Sequence, residues 1–218
     1  MRTANDPIAD DEPVQYFSGM ASKNRGWVTA EEFEQLARDP VYQAMRRARA
    51  TEHAERIEQS RQEQRPLLND LAAAGVVVES VGRLLEIPDP DERIYPILLD
   101  HLTKSYSPHL LEWIGRAFGR KTARPIVWDT LIDLLASHVL EEPAIGGVMI
   151  AISDMARSSD LATLIMLLSD TSLGVSRIFL VSNLMRSKRP EARVALLRQK
   201  DDPDLTKEIT ARLARSRN

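Results

Sequence analysis

The sequence contains no cysteine, and only 9 of its 218 residues are glycine. Without cysteine the chain forms no disulfide, no thiolate zinc site and no cysteine nucleophile. The low glycine content argues against turn-rich all-β folds and against glycine-rich phosphate-binding loops. No apolar run approaches the ~20 residues of a transmembrane helix. These absences favour a helical protein, and we expect no cofactor and no bound metal.

Charges of the two signs nearly balance, with 29 Lys and Arg against 32 Asp and Glu. This balance gives the chain no global attraction to nucleic acid or to anionic membranes. The first residues include the acidic run Asp10-Asp11-Glu12, the reverse of the basic and then apolar start of a secretory signal. We therefore expect a soluble, cytoplasmic protein in which residues 1–26, which lack periodicity, form a flexible acidic arm.

Helical signals begin at Thr29, where the segment Thr29-Ala30-Glu31-Glu32 fits a capping box. Asp39-Pro40 predicts that this first short helix stops and a second one starts, because proline is well tolerated at the first helical position. The helix predicted over 40–65 is strongly polar, with Ile57 as the only large apolar side chain between residues 46 and 65. Residues 27–65 are thus predicted to be a polar helical extension.

From residue 66 onwards, apolar residues recur at helical spacing, and no stretch alternates long enough to predict a strand. The pattern predicts ten helices in five pairs, at 66–74, 77–87, 91–104, 108–121, 125–138, 143–157, 160–169, 173–187, 190–199 and 204–216. The first helices of three successive pairs align without gaps through Leu98, Leu131 and Leu164, at offsets of 33 residues. Such a repeat indicates that stacked helix pairs share one continuous core.

Small residues in the second helices of these pairs suggest that neighbouring helices approach closely. They are Gly115, Gly146, Gly147 and Ala151. A glycine inside an exposed helix costs about 1 kcal/mol relative to alanine, so its presence needs a packing reason.

The segment Leu167-Leu168-Ser169-Asp170-Thr171-Ser172-Leu173-Gly174-Val175-Ser176-Arg177 resembles the HEAT-repeat pattern. Two leucines end the first helix, an aspartate stands at the turn, and Val-x-Arg opens the second helix. Residues 66–75 and 80–85 are also similar to uncharacterised bacterial HEAT-repeat proteins. The resemblance implies an α-solenoid of about five antiparallel helix pairs over 66–218, and it carries no biochemical activity with it.

No arrangement of residues indicates catalysis. The four histidines (His53, His101, His109 and His138) lack the i,i+4 spacing of a helical metal site. No serine, histidine and acid stand in a recognisable nucleophile motif. We therefore expect a protein that is not an enzyme.

One enzymatic alternative rests on the segment Val127-Trp128-Asp129-Thr130-Leu131-Ile132-Asp133, which is similar to a tryptophan–aspartate segment of the helical-repeat alkylpurine DNA glycosylases. The resemblance implies that an aromatic residue and an aspartate contact a damaged nucleotide, and that Arg177 contacts the DNA backbone. No tryptophan follows Trp128, which departs from that family. Nucleic-acid binding therefore stays as an alternative function.

The function that the repeat pattern favours is binding of another protein on the concave face of a solenoid, as a scaffold or as an immunity-type inhibitor of an enzyme. Arg116 and Arg120 lie at i,i+4 spacing, one turn after Trp113, where their guanidinium groups could anchor an acidic segment or a phosphate. Basic residues also collect at helix C-termini for purely structural reasons. The residues expected on the binding face are Glu112, Trp113, Arg116, Arg120, Asp154, Arg157, Arg177, Asn183 and Arg186.

Overall fold

The computed structural model describes residues 29–215, and within that range the regular structure is entirely helical. This confirms the prediction of an all-α protein. The predicted acidic arm, residues 1–26, lies outside the described residues. Contacts divide the chain into two compact units, with the division between Ile57 and Glu58.

The first unit contains helix α1 (Ala30–Arg38) and the start of α2 (Pro40–Ala73). As predicted, the chain breaks at Asp39, whose carboxylate accepts a hydrogen bond from the amide of Val41 at 2.7 Å. The expected end of the polar helix at residue 65 is wrong, because α2 continues through Pro66. An interior proline costs about 3 kcal/mol or more, and the complete burial of Leu67 and Leu71 in the last turns of α2 helps to offset it.

Within the described residues, nine further helices follow in the second unit. They are α3 (Val81–Glu86), α4 (Ile94–Leu102), α5 (Pro108–Ala117), α6 (Arg124–Ala136), α7 (Glu142–Met155), α8 (Leu161–Ser169), α9 (Ile178–Arg186), α10 (Pro190–Arg198) and α11 (Thr206–Arg215). Each lies within a segment predicted to be helical, except that α6 and α7 each start one residue before the predicted segment. The largest difference is at α9, predicted from 173. A 3-10 helix over Thr171–Arg177 precedes α9, and Gly174 within it has φ of 54°, which interrupts helical geometry.

Alternate helices of the second unit pack against one another. Contacts join α3 to α5, α5 to α7, α7 to α9, and α9 to α11, while α4, α6, α8 and α10 pack against their neighbours in sequence. The three leucines at equivalent repeat positions, Leu98, Leu131 and Leu164, all belong to the buried core. The predicted burial of Leu131 and Leu164 is therefore confirmed.

Helices α5 and α7 approach until their backbones touch, as two of the glycines predict. A β-carbon added to Gly115 would lie 2.7 Å from the amide nitrogen of Val148, and one added to Gly147 would overlap the carbonyl of Glu112. Gly146 is different, because its β-carbon would meet only the hydroxyl of Ser176, at 3.5 Å. Close approach therefore accounts for two of these three glycines.

Among residues 29–215, no single helix is long and apolar enough to cross a membrane. One bent pair, Ser158–Ser169 with Thr171–Arg186, has the necessary length and composition, with an angle of 111° between its halves.

Candidate functional site

Helices α5, α7 and α9 lie side by side and run in the same direction. Gly147 of α7 packs on α5 at Glu112 and Gly115, and further along Gly119 packs on Ala151. From α7 to α9, the Ser153 hydroxyl oxygen lies 3.0 Å from the carbonyl oxygen of Phe179. The exposed side chains of these three helices, and of the turns that flank them, therefore form one surface, which we call the second-helix face.

At the N-terminal ends of the three helices this face contains a groove of about 500 Å³. We call it the apolar groove, because Ile150, Val175 and Phe179 contribute much of its lining. Val175 is 48 % exposed and Phe179 is 38 % exposed, so both present apolar surface to water. Glu112 and Glu142 also line the groove and give its edge two carboxylates.

At the other end of the face, Arg116, Asp154 and Arg186 stand in the last turns of α5, α7 and α9, and Arg120 follows α5. Arg116, Arg120 and Arg186 all act electrostatically on Asp154, and we call these four residues the arginine cluster. Neighbouring atoms partly shield the Asp154 carboxyl from water, which raises its pKa above the ordinary value, although the three arginines oppose the change. The Asp154 carboxylate lies against Gly119, where a β-carbon would be 3.2 Å from its Oδ2.

Arg120 is half-buried and has a structural role within this cluster. Its guanidinium donates to the carbonyls of Leu85 at 2.5 Å and Ile87 at 3.1 Å. These carbonyls lie at the C-terminal end of α3, where backbone acceptors lack partners within the helix. Arg120 thus contributes charge to the face, but two of its five donors already hold the end of α3.

Trp113 and Asn183 also make contacts that hold helices together. The Trp113 ring packs on Gly82 of α3 and lies 4.3 Å, centroid to centroid, from the ring of His109. The Asn183 amide donates to the carbonyl of Ser153 at 2.8 Å and accepts from the Ser153 hydroxyl at 2.7 Å. Both residues lie where α5 or α9 meets a neighbour, as half-buried packing residues.

The prediction that Arg177 is exposed on the binding face is wrong. Arg177 is only 1 % exposed, and its guanidinium forms ion pairs with Asp202 at 2.9 Å and Asp204 at 3.1 Å. It also donates to the carbonyls of Gly174 and Leu168. Arg177 therefore links the turn before α9 to the turn before α11.

Of the nine residues predicted for the binding face, five have surface side chains that are not held in place by buried hydrogen bonds or ion pairs. Glu112 and Arg116 form an open ion pair at 3.5 Å across one helical turn. Asp154, Arg157 and Arg186 are exposed. Among residues 29–215, the guanidinium groups of Arg157 and Arg186 have no carboxylate oxygen within 4.0 Å, so both can bind an external acceptor.

Sequence reasoning missed that several arginines cap the carboxyl ends of neighbouring helices. Arg93 donates to the carbonyl of Ala74 at 2.6 Å, beyond α2, and Arg124 donates to the carbonyl of Met155 at 3.3 Å, in α7. Arg124 is also paired with Asp160 at 2.8 Å. An aspartate close to a helix end in the sequence indicates that an arginine can bind there. It does not identify which distant arginine caps that end.

A second polar group lies inside the helical stack, around His101. The His101 ring is fully buried, with Nε2 at 2.8 Å from Asp70 Oδ2 and Nδ1 at 2.7 Å from the Tyr106 hydroxyl. These contacts join α2, α4 and the turn before α5. Within the described part of the chain, no group of three or more histidine, aspartate or glutamate residues is arranged to hold a metal ion.

The residues of the glycosylase alternative differ in their exposure. Trp128 is half-buried under the guanidinium of Arg124, which lies 3.7 Å from the ring centroid, while Asp129 is exposed. Arg177, which would contact the DNA backbone, is buried and ion-paired.

Comparisons of the chain with protein-family models, with curated proteins and with solved structures find no match.

Proposed function

We propose that this protein binds another protein, without catalysis, through the second-helix face. In this proposal the helix pairs of residues 66–218 stack as a HEAT-like α-solenoid, and the second-helix face is its concave side. The contacts between alternate helices and the 33-residue repeat support this arrangement. A cytoplasmic location belongs to the same proposal.

The observation that carries the proposal is the apolar groove beside the arginine cluster. Exposed apolar surface rimmed by polar residues is typical of protein interaction sites. Phe179 and Val175 supply the apolar part, and Glu112, Arg116 and Arg186 supply polar groups on the same face. Aromatic and arginine side chains are also the residue types that most often dominate binding energy.

A scaffold and an immunity-type inhibitor would use the same face, and they differ only in what the partner does. Binding of nucleic acid through this face is disfavoured by Glu112, Glu142 and Asp154, because these carboxylates would repel phosphates. The burial of Arg177 removes one of the cations that such binding would use.

Site-specific photo-crosslinking in cells tests the proposal. A photoreactive phenylalanine analogue replaces Phe179 in the full chain, and a matched variant carries the analogue at Met166, which is 51 % exposed on α8. We expect a discrete protein adduct from position 179 and none from position 166. We also expect Ile150→Glu, which puts a charge into the apolar groove, to abolish that adduct while the melting curve stays cooperative.

The same adducts from both positions would contradict the proposed binding face. Adducts to nucleic acid from position 179 would support the alternative function.

A further inference from the structure

The apolar groove and the arginine cluster lie at a fixed separation along the second-helix face. Phe179 of the groove and Arg186 of the cluster are both on α9, seven residues apart. At 1.5 Å per residue, this places their α-carbons roughly 10.5 Å apart along the helix. An extended peptide covers that distance in about three residues, at ~3.3–3.6 Å each.

The arginine cluster has more positive charge than its own carboxylate neutralises. Arg116 and Arg186 stand in the last turns of α5 and α9, on either side of Asp154 in the last turn of α7, and the pair between Arg116 and Glu112 is long and exposed. Part of this charge complements the carboxyl ends of α5 and α9, since Arg116 and Arg186 stand in their last turns. Arg186 still has no carboxylate within 4.0 Å among residues 29–215, so its fork of donors is available for a carboxylate from outside.

We propose that the partner inserts an extended acidic segment into the second-helix face, with an apolar side chain in the groove and a carboxylate three or four residues away on Arg186 and Arg116. This inference rests on the proposed function and names the chemistry of the partner. The apolar side chain packs against Ile150 and Phe179, which lie beside each other in the groove. The carboxylate replaces the solvent that now surrounds the two arginines.

An acidic protein segment fits this surface better than a phosphate backbone does. The groove at one end is apolar and has no complement in a nucleic-acid backbone. Glu112, Glu142 and Asp154 interrupt the positive charge, whereas a polyanion binds best to a continuous row of cations. A peptide with one or two carboxylates does not need a continuous row of cations, because its other end is apolar and only one carboxylate meets the arginines beside Asp154.

Selection from a displayed library of random linear peptides on the immobilised full chain tests this inference. We expect the enriched peptides to share an apolar residue followed or preceded, at three or four positions, by Asp or Glu. A synthesised peptide of that sequence should lose at least about tenfold in affinity for Arg186→Glu, because charge reversal removes the pair and adds repulsion. Its affinity should also fall as salt is raised, since the pair is partly exposed.

Arg193→Glu is the matched control, because Arg193 is an exposed arginine on α10, outside the second-helix face. It should leave the affinity of the selected peptide unchanged within about twofold, because salt screens the effect of a distant charge on the bound peptide. The acidic-segment inference is overturned if the enriched peptides lack a carboxylate at this spacing or if no peptide is enriched. It is also overturned if both variants lose affinity for the peptide equally. Competition of duplex DNA with the peptide in an Arg186-dependent manner overturns it as well.

Failure of this inference is distinguishable from failure of the proposed function. If the crosslink at position 179 forms while Arg186→Glu has no effect, the face binds a protein of different chemistry. If no crosslink forms, the binding face itself is misplaced.

Discussion

Replacement of Arg177 by methionine removes a buried guanidinium and leaves its partners behind. Arg177 donates to both carboxylate oxygens of Asp202, to Asp204 and to two backbone carbonyls. The Asp202 side chain is only 10 % exposed, so in the variant its charge would lose its guanidinium partner and keep only backbone amides, such as that of Asp204 at 2.9 Å. Removal of one member of a buried pair costs about 3–5 kcal/mol, and we expect Arg177→Met to lower the free energy of unfolding by that amount.

The dependence of this loss on pH follows from Asp202. The hydrogen bonds from Arg177 hold the pKa of the Asp202 carboxyl below its ordinary value. A carboxyl whose pKa is depressed in the folded state adds stability above its unfolded pKa of about 3.9, and that stability is lost as the pH falls through the folded pKa. The difference in unfolding free energy between the native chain and Arg177→Met should therefore be complete near neutral pH and shrink below about pH 4.

Urea denaturation followed by circular dichroism at several pH values measures this difference. Arg116→Met is the matched control, because Arg116 is an exposed arginine whose ion pair is worth about 0–1 kcal/mol. The double variant Arg177→Met with Asp202→Asn should recover part of the loss, since the unpaired carboxylate is then gone. Equal, small losses for Arg177→Met and Arg116→Met would refute the structural role of Arg177.

Three further predictions concern the stack itself. Gly147→Ala should lower the unfolding free energy by about 1–3 kcal/mol, because the added β-carbon overlaps the backbone of α5. Gly146→Ala should leave the unfolding free energy unchanged or raise it by up to ~1 kcal/mol. Thermal melts distinguish the two variants, because only Gly147→Ala should lower the melting temperature. Leu131→Ala should lower the unfolding free energy by about 2–5 kcal/mol, because Leu131 is fully buried. Arg61→Ala, on the exposed side of α2, should lower it by less than ~0.5 kcal/mol. Comparable changes in unfolding free energy for both variants would place the core elsewhere. Gln64→Ala should lower the unfolding free energy by about 1–3 kcal/mol, because Gln64 accepts a buried hydrogen bond from the first amide of α3 at 2.8 Å. An unchanged denaturation midpoint would argue against this capping hydrogen bond.

The sequence alone determined most of the helices in the second unit, because the signals that start and stop a helix are local. Proline at the first positions of α5, α7 and α10 fixes where these helices begin. Apolar spacing then identifies which residues are buried, as at Leu131 and Leu164. The same local reasoning failed at Pro66, where the helix continues because its later turns pack in the core.

Only the tertiary structure decided which charged residues can meet a partner. Arg116, Arg120 and Arg177 look alike in sequence, yet one is exposed, one caps α3 and one is buried. The acceptors that bury or engage the latter two are far away in the chain, since Arg120 is 33 residues from Ile87 and Arg177 is 25 residues from Asp202. The free energy of a guanidinium depends on the acceptors and the solvent around it. Those surroundings are assembled only when distant helix ends come together, so local sequence patterns do not reveal them.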